Sequence, residues 1–267
     1  RSGEYYLVLE WVDGLTLAQW RQGYRERGKH TPWNLTAAIG IEVLQALHAA
    51  HERTDARGRP APVFHRDVTP QNVMVSYWGA VKLTDFGLAR AMDRASITKP
   101  GFVKGKLAYL APELTYEEKP SAQSDVFSVG VVLWEVLAGE KLFKNKDPLK
   151  LMGTIRGMDI PKLDEMRDDL PEGLLAIIAK ALERSPARRY ASTREMARDL
   201  AALLRSTDHA TDAHVIATSV RWARQQITPM RPSEPPTKPF AGGAALAKAT
   251  AADETMPDTS IPLTRRK

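Results

Sequence analysis

Apolar residues along this chain recur mostly at helical spacing, and only a few short runs carry the β-branched or aromatic density of strands. Residues 5–9, Tyr-Tyr-Leu-Val-Leu, predict a central strand, and Asp13-Gly14 just after it reads as a turn. Thr16 and Gln19 have capping-box spacing, which predicts a helix opening at that point. The longest periodic stretch, 35–52, carries Ile39, Val43, Leu44, Leu47 and Ala50 at helical intervals. Gly58, Pro60 and Pro62 make the next segment a loop. Residues 73–75 and 81–83 predict two short strands about a turn near Trp78-Gly79.

Helices dominate downstream. Residues 123–138 are strongly apolar and halt at Gly139. Further helices are predicted over 149–156, 171–183 and 192–205, the last opened by a second capping box from Ser192 and Glu195. Residues 214–226, with Val215, Ile216, Val220 and Trp222, predict one more. From Thr228 onward Pro, Ala, Thr and Ser dominate. Pro229, Pro232, Pro235, Pro236 and Pro239 make 228–267 a linker or disordered tail. A small β region followed by a helical series reads as an α+β fold.

Composition removes several function classes. The 267 residues, 43% of them hydrophobic, suffice for one substantial core and a tail. The net charge of +6 is scattered rather than clustered, which argues against nucleic acid as a partner. The absence of cysteine excludes disulfides, a thiolate nucleophile and a Cys-based zinc site, and fits a cytoplasmic setting. No apolar run reaches membrane-spanning length, and no signal peptide is visible. His48 and His51 have no carboxylate or third ligand in register, so they are expected at the surface or as caps rather than as a metal pair. The chain opens at Arg1, directly in what reads as a buried strand, as expected of a fragment.

The chemistry concentrates in 64–72, Phe-His-Arg-Asp-Val-Thr-Pro-Gln-Asn, answered by Asp85-Phe86-Gly87. An Asp, an Asn five positions on and a second Asp in a DFG turn form a phosphoryl-transfer constellation. Asp67 is placed to accept the proton of an attacking hydroxyl. Asn72 and Asp85 are placed to hold Mg²⁺ on a nucleoside triphosphate. Such a reaction needs little covalent help from the protein and much positioning and charge neutralisation. Ala111-Pro112-Glu113 follows at a longer gap, and order and spacing together make the pattern specific.

With these motifs, residues 5–205 resemble the eukaryotic-type (Hanks-type) serine/threonine protein kinases, in wording closest to the bacterial members. The resemblance implies a protein-kinase-like fold, mainly the helical C-terminal lobe with the hinge. It implies a partial kinase domain over 1–206; beyond it the residue pattern leaves a candidate extra helix within 207–227 and the tail over 228–267. It implies ATP and Mg²⁺ as cofactors and a protein substrate bearing a Ser or Thr hydroxyl. It puts Leu9 at the gatekeeper position and sets the Glu10 carbonyl and Val12 amide against the adenine edge, with Met74 beneath it. Thr16 sits where the family often contacts ribose, although the capping role fits it better. His65 becomes a structural prop under Phe86, and Arg66 the partner of a phosphorylated activation segment over 89–105, where Ser96 and Thr98 carry hydroxyls. Glu113 and Arg189 are expected to form a buried ion pair. Asp125 is expected to accept hydrogen bonds from the catalytic-loop backbone.

Two positions depart from the family pattern. Thr69 stands where Ser/Thr-specific members carry Lys, and Lys106 follows Gly105 where they carry Thr. In the family these two side chains meet beside the transferring phosphate, so the pair reads as an exchange, with Lys106 directed toward Thr69 and Asp67. The glycine-rich loop, the strand Lys and its helix Glu are not in this sequence, so the segment alone is expected to transfer phosphate poorly. Two rival readings are a non-catalytic pseudokinase-like scaffold and a small-molecule phosphotransferase. Asp67, Asn72 and Asp85 argue against the first; the Ala-Pro-Glu segment and Arg189 argue against the second.

Overall fold

The computed structural model describes residues 9–86, 106–145 and 147–227. Residues 10–229 form one compact unit. Of the strand expected over 5–9, all but Leu9 lies outside the described residues, and Leu9 is exposed.

A three-stranded antiparallel sheet is built from β1 (Gly14–Thr16), β2 (Val73–Ser76) and β3 (Val81–Leu83), with β2 central. Leu15 lies opposite Val75, and Val73 opposite Leu83. Leu15, Val73 and Val75 are buried together on one face. β1 was not expected, since Asp13-Gly14 reads as a turn. Gly14 explains it: a Cβ there would lie 2.2 Å from the Val75 carbonyl oxygen, so only glycine lets the two backbones approach.

The helices are α1 (Leu17–Arg25), α2 (Trp33–His51), α3 (Ala122–Ala138), α4 (Pro148–Gly157), α5 (Glu172–Ala181), α6 (Thr193–Arg205) and α7 (Ala213–Gln226). The Thr16–Gln19 capping box opens α1 with both of its hydrogen bonds made. The Ser192 box is half made. Ser192 Oγ accepts from the Glu195 amide, but the Glu195 carboxylate accepts from the Ala191 amide instead of that of Ser192. α3 runs through the middle of the helical layer, and Val126, Phe127, Val129, Leu133 and Trp134 are all buried. α2 packs against both α3 and α6.

α7 packs on α1 and reaches β1 and β2. Trp20 Nε1 donates to Ser219 Oγ at 2.9 Å, and the Tyr24 hydroxyl lies 2.8 Å from the same oxygen. Burial raises the Tyr24 phenol above its usual pKa, against the opposing bond from Ser219. The β2–β3 turn meets the start of α7 at Gly79, where φ is +87° and a Cβ would sit 1.9 Å from the Ala213 carbonyl oxygen. Among the described residues, no helix is long and apolar enough to cross a membrane.

Candidate active site

The site is assembled where β2 begins and β3 ends. The Thr84 amide and hydroxyl both donate to the Asn72 carbonyl, at 2.8 and 3.1 Å. These bonds extend the β2–β3 pairing by one step and bring Asn72 beside the residue that precedes Asp85. On the other side, Asn72 Nδ2 donates to the Asp67 carbonyl at 2.8 Å and to Asp67 Oδ2 at 3.0 Å. The Asn72 amide donates to the Thr69 carbonyl at 3.0 Å, closing the loop between them. Asp67, Thr69 and Asn72 are all buried.

The loop that carries Asp67 is held from below by α3. Asp125 Oδ2 accepts from the His65 amide at 2.9 Å, and Oδ1 accepts from the Arg66 amide at 3.0 Å. Arg66 has φ of +64° and Asp85 has φ of +65°, in the left-handed region that costs of order 1–3 kcal/mol for most side chains. Bonds from a fixed carboxylate to two successive amides are a physical means of keeping Arg66 there.

His65 Nε2 lies 2.9 Å from the Thr84 carbonyl, so Nε2 carries the proton. Nδ1 then accepts from the Asp67 amide at 3.3 Å. Its ring meets Phe86 edge-on at 4.6 Å between centroids. The histidine is therefore spent on joining 65–67 to 84–86, as a prop rather than a base. Burial lowers its pKa, against smaller raising effects from the Thr84 carbonyl and nearby carboxylates.

His51 is neither the surface nor the capping histidine that its place at the helix end predicts. Its side chain is 6% exposed, and Nε2 lies 2.8 Å from Asp125 Oδ2. It thus braces the carboxylate that braces the loop. Its partner is 74 positions away, so spacing along the helix gives no hint of the pair. His48 is half-buried, near the groove between α2 and α6.

The Lys106 ammonium pairs directly with Asp67 Oδ2 and lies half exposed above it. Thr69, on the same loop, is 4% exposed. Met74 sits at the middle of a row across the sheet, between Thr16 on β1 and Lys82 on β3. Lys82 pairs with the Glu10 carboxylate at 3.4 Å, and half-buried Val12 follows on the run into β1. Gly87 and the activation segment at 89–105, with Ser96 and Thr98, lie outside the described residues.

As a donor set, Asn72 and Asp85 suit a hard cation. The Asn72 side chain makes both of these hydrogen bonds through its nitrogen, which leaves its oxygen as a ligand atom. Among the described residues, no group of three or more His, Cys, Asp or Glu residues gathers to cage a metal. Mg²⁺ needs no such cage, since it keeps several waters and takes one or two protein oxygens alongside phosphate.

Below the site, Arg189 grips Glu113 with two parallel bonds of 2.8 Å and also donates to the Gln123, Glu183 and Arg184 carbonyls. Both residues are buried, as expected.

The protein kinase domain family matches residues 1–200. The chain belongs to the protein kinase family. Among curated relatives, the kinase chain is 38% identical over 198 residues to the serine/threonine-protein kinase PknL of Mycobacterium tuberculosis, covering 74% of this chain and 47% of that protein. It is 34% identical over 189 residues to the tyrosine-protein kinase MasK of Myxococcus xanthus, covering 71% and 29%. It is 37% identical over 198 residues to the serine/threonine-protein kinase PknB of Mycobacterium tuberculosis, covering 73% and 30%. This kinase chain thus spans less than half the length of these relatives. The match stops before α7, which the fold nonetheless packs against α1.

Proposed function

We propose that this chain carries the catalytic loop of a bacterial-type serine/threonine protein kinase, which transfers the γ-phosphoryl group of ATP to protein hydroxyls. The observation that supports the reading best is the chain of bonds from Asp67 through Asn72 to Thr84, next to Asp85. In this reading Asp67 accepts the hydroxyl proton, and Asn72 fixes the orientation of its carboxylate. Asn72 and Asp85 would hold Mg²⁺. Bound Mg²⁺-ATP supplies the phosphoryl group and the cation that neutralises its oxygens. Lys106 provides the positive charge that Thr69 lacks, from the opposite wall. Glu10 and Val12 offer backbone groups to the adenine edge, and Met74 lies beneath it.

Residues 1–267 hold no glycine-rich loop and no strand Lys with a helix Glu partner. Phosphoryl transfer needs those groups together with the metal ligands. The segment by itself therefore binds ATP weakly and transfers phosphate poorly.

The test is phosphoamino-acid analysis of a protein substrate, or of the protein itself, after incubation of the full-length protein with labelled ATP and Mg²⁺. Label on serine and threonine is expected. Label on tyrosine alone, or none, contradicts the reading.

A further inference from the structure

α7 lies beyond the residues that the kinase family covers, yet it is tied to the hairpin that carries the site. Two contacts make the tie. At the start of α7, the Ala213 carbonyl packs directly on Gly79, which only glycine permits. Two turns further along, Arg221 Nη1 donates to the Tyr77 carbonyl at 2.7 Å. The guanidinium is braced from its own helix. Its Nη2 donates to Thr218 Oγ1 at 3.3 Å, and that hydroxyl donates to the His214 carbonyl at 2.9 Å. A charged donor makes a shorter and stronger bond to a carbonyl than a neutral one does. On its other side, the Tyr77 amide donates to the Asp13 carbonyl at 2.9 Å, so this one peptide unit is held by both β1 and α7.

The turn gripped in this way is stiff. Ser76 Oγ accepts from the Trp78 and Ala80 amides at 3.3 and 2.9 Å. The Ser76 amide donates to the Ala80 carbonyl at 2.8 Å, and the Gly79 amide donates to the Ser76 carbonyl at 3.0 Å. Below the turn, Val75 pairs with Val81, Met74 with Lys82 and Val73 with Leu83. Asn72 immediately precedes β2, and Thr84 and Asp85 follow β3. From turn to foot the hairpin spans only about 13 Å. So short and fully bonded a hairpin tilts as a unit. A shift where α7 holds Tyr77 is therefore passed to Asn72 and Asp85 at its foot.

We propose that Arg221 is a positioning residue: through the Tyr77 carbonyl it sets the tilt of the β2–β3 hairpin, and with it the placement of Asn72 and Asp85 toward Mg²⁺-ATP. The inference rests on the kinase reading above. It makes α7 part of the machinery that presents the metal ligands, although α7 touches neither of them. Small displacements at a reacting centre carry large penalties, so a clamp at the far end of the hairpin has leverage on the chemistry.

The experiment takes two readings on the full-length protein. The first is hydrogen exchange, without nucleotide, at the Thr84 amide, which donates to the Asn72 carbonyl. In Arg221→Met that amide is expected to exchange about fivefold faster, the scale of one net hydrogen bond. The second is calorimetric titration with ATP, with and without Mg²⁺. The factor by which Mg²⁺ tightens ATP binding is expected to fall about fivefold in Arg221→Met, while the affinity for ATP alone stays as in the wild type. Arg221→Lys, which keeps a charged donor, restores both readings. A merely structural role would lower the melting temperature and weaken ATP binding equally with and without Mg²⁺, and that result overturns the proposal. So does faster exchange confined to the turn at Gly79 and Ala80, or an unchanged Mg²⁺ effect. A wild-type protein whose ATP affinity is indifferent to Mg²⁺ overturns the kinase reading, and this inference falls with it.

Discussion

The Lys106 ammonium meets Asp67 Oδ2 across the mouth of the site, from the segment that follows the activation loop. Thr69, two residues after Asp67, brings no charge. A positive charge about 4 Å from a phosphate is worth roughly 4 kcal/mol at an effective dielectric near 20. Its loss therefore sets a ceiling of about a thousandfold in rate. We expect Lys106→Ala to lower kcat by up to that factor with little change in melting temperature, since Lys106 is half exposed. Lys106→Thr combined with Thr69→Lys should recover much of the loss. Near-normal activity in Lys106→Ala would show that the cation is dispensable.

The Glu113–Arg189 pair makes a different prediction, because its role is structural. Removing one partner strands the other charge in the interior, at a cost of about 3–5 kcal/mol. Glu113→Gln and Arg189→Met should each lower the unfolding free energy measured by chemical denaturation by that amount. An effect below about 1 kcal/mol, the range of exposed pairs, would mean that water reaches the pair.

α7 is expected to be part of the stable fold. Ile216 and Val220 are buried against the lobe, and Ser219 satisfies both Trp20 and Tyr24. Ile216→Ala should cost about 2–5 kcal/mol. Ser219→Ala removes the partner of the buried Trp20 N–H and of the Tyr24 hydroxyl and should cost about 1–3 kcal/mol. Urea denaturation reads both. Removal of residues 206–227 without loss of stability would contradict the packing described.

His65 gives the pH dependence. Burial lowers its folded-state pKa below the ordinary value of about 6.5. Between those two values the unfolded chain binds the proton and the folded chain does not, so stability rises with pH. The contribution is complete above pH of about 6.5 and is lost as pH falls from there through the folded value. A His65→Asn variant should have a flatter melting-temperature profile across that window. An unchanged slope would mean that the histidine is not held neutral.

Elements set by neighbouring residues are legible in the sequence. The Thr16–Gln19 box, the α2 and α3 periodicities and the strands at 73–75 and 81–83 depend on neighbours in the chain, and boundaries moved by one or two residues. β1 was invisible because glycine has poor strand propensity and the strand depends on Val75 and Ser76, some sixty residues away. The His51 pairing is hidden for the same reason: its carboxylate belongs to another helix. The periodicity of α7 was legible, but its docking on Trp20, 199 positions from Ser219, was not. Glu113 and Arg189 were paired through the family resemblance and not through any local pattern. Their bidentate geometry is what the fold adds.

The most direct test of the account is the rate of labelled γ-phosphoryl transfer from ATP by the full-length protein, set against Asp67→Asn. A positioned general base contributes about 10²–10⁴ in rate. We predict Mg²⁺-dependent phosphorylation of serine or threonine in the wild type and a fall of that size in the variant, with its fold intact. Equal transfer by both proteins would contradict the assignment of Asp67 as the group that receives the proton.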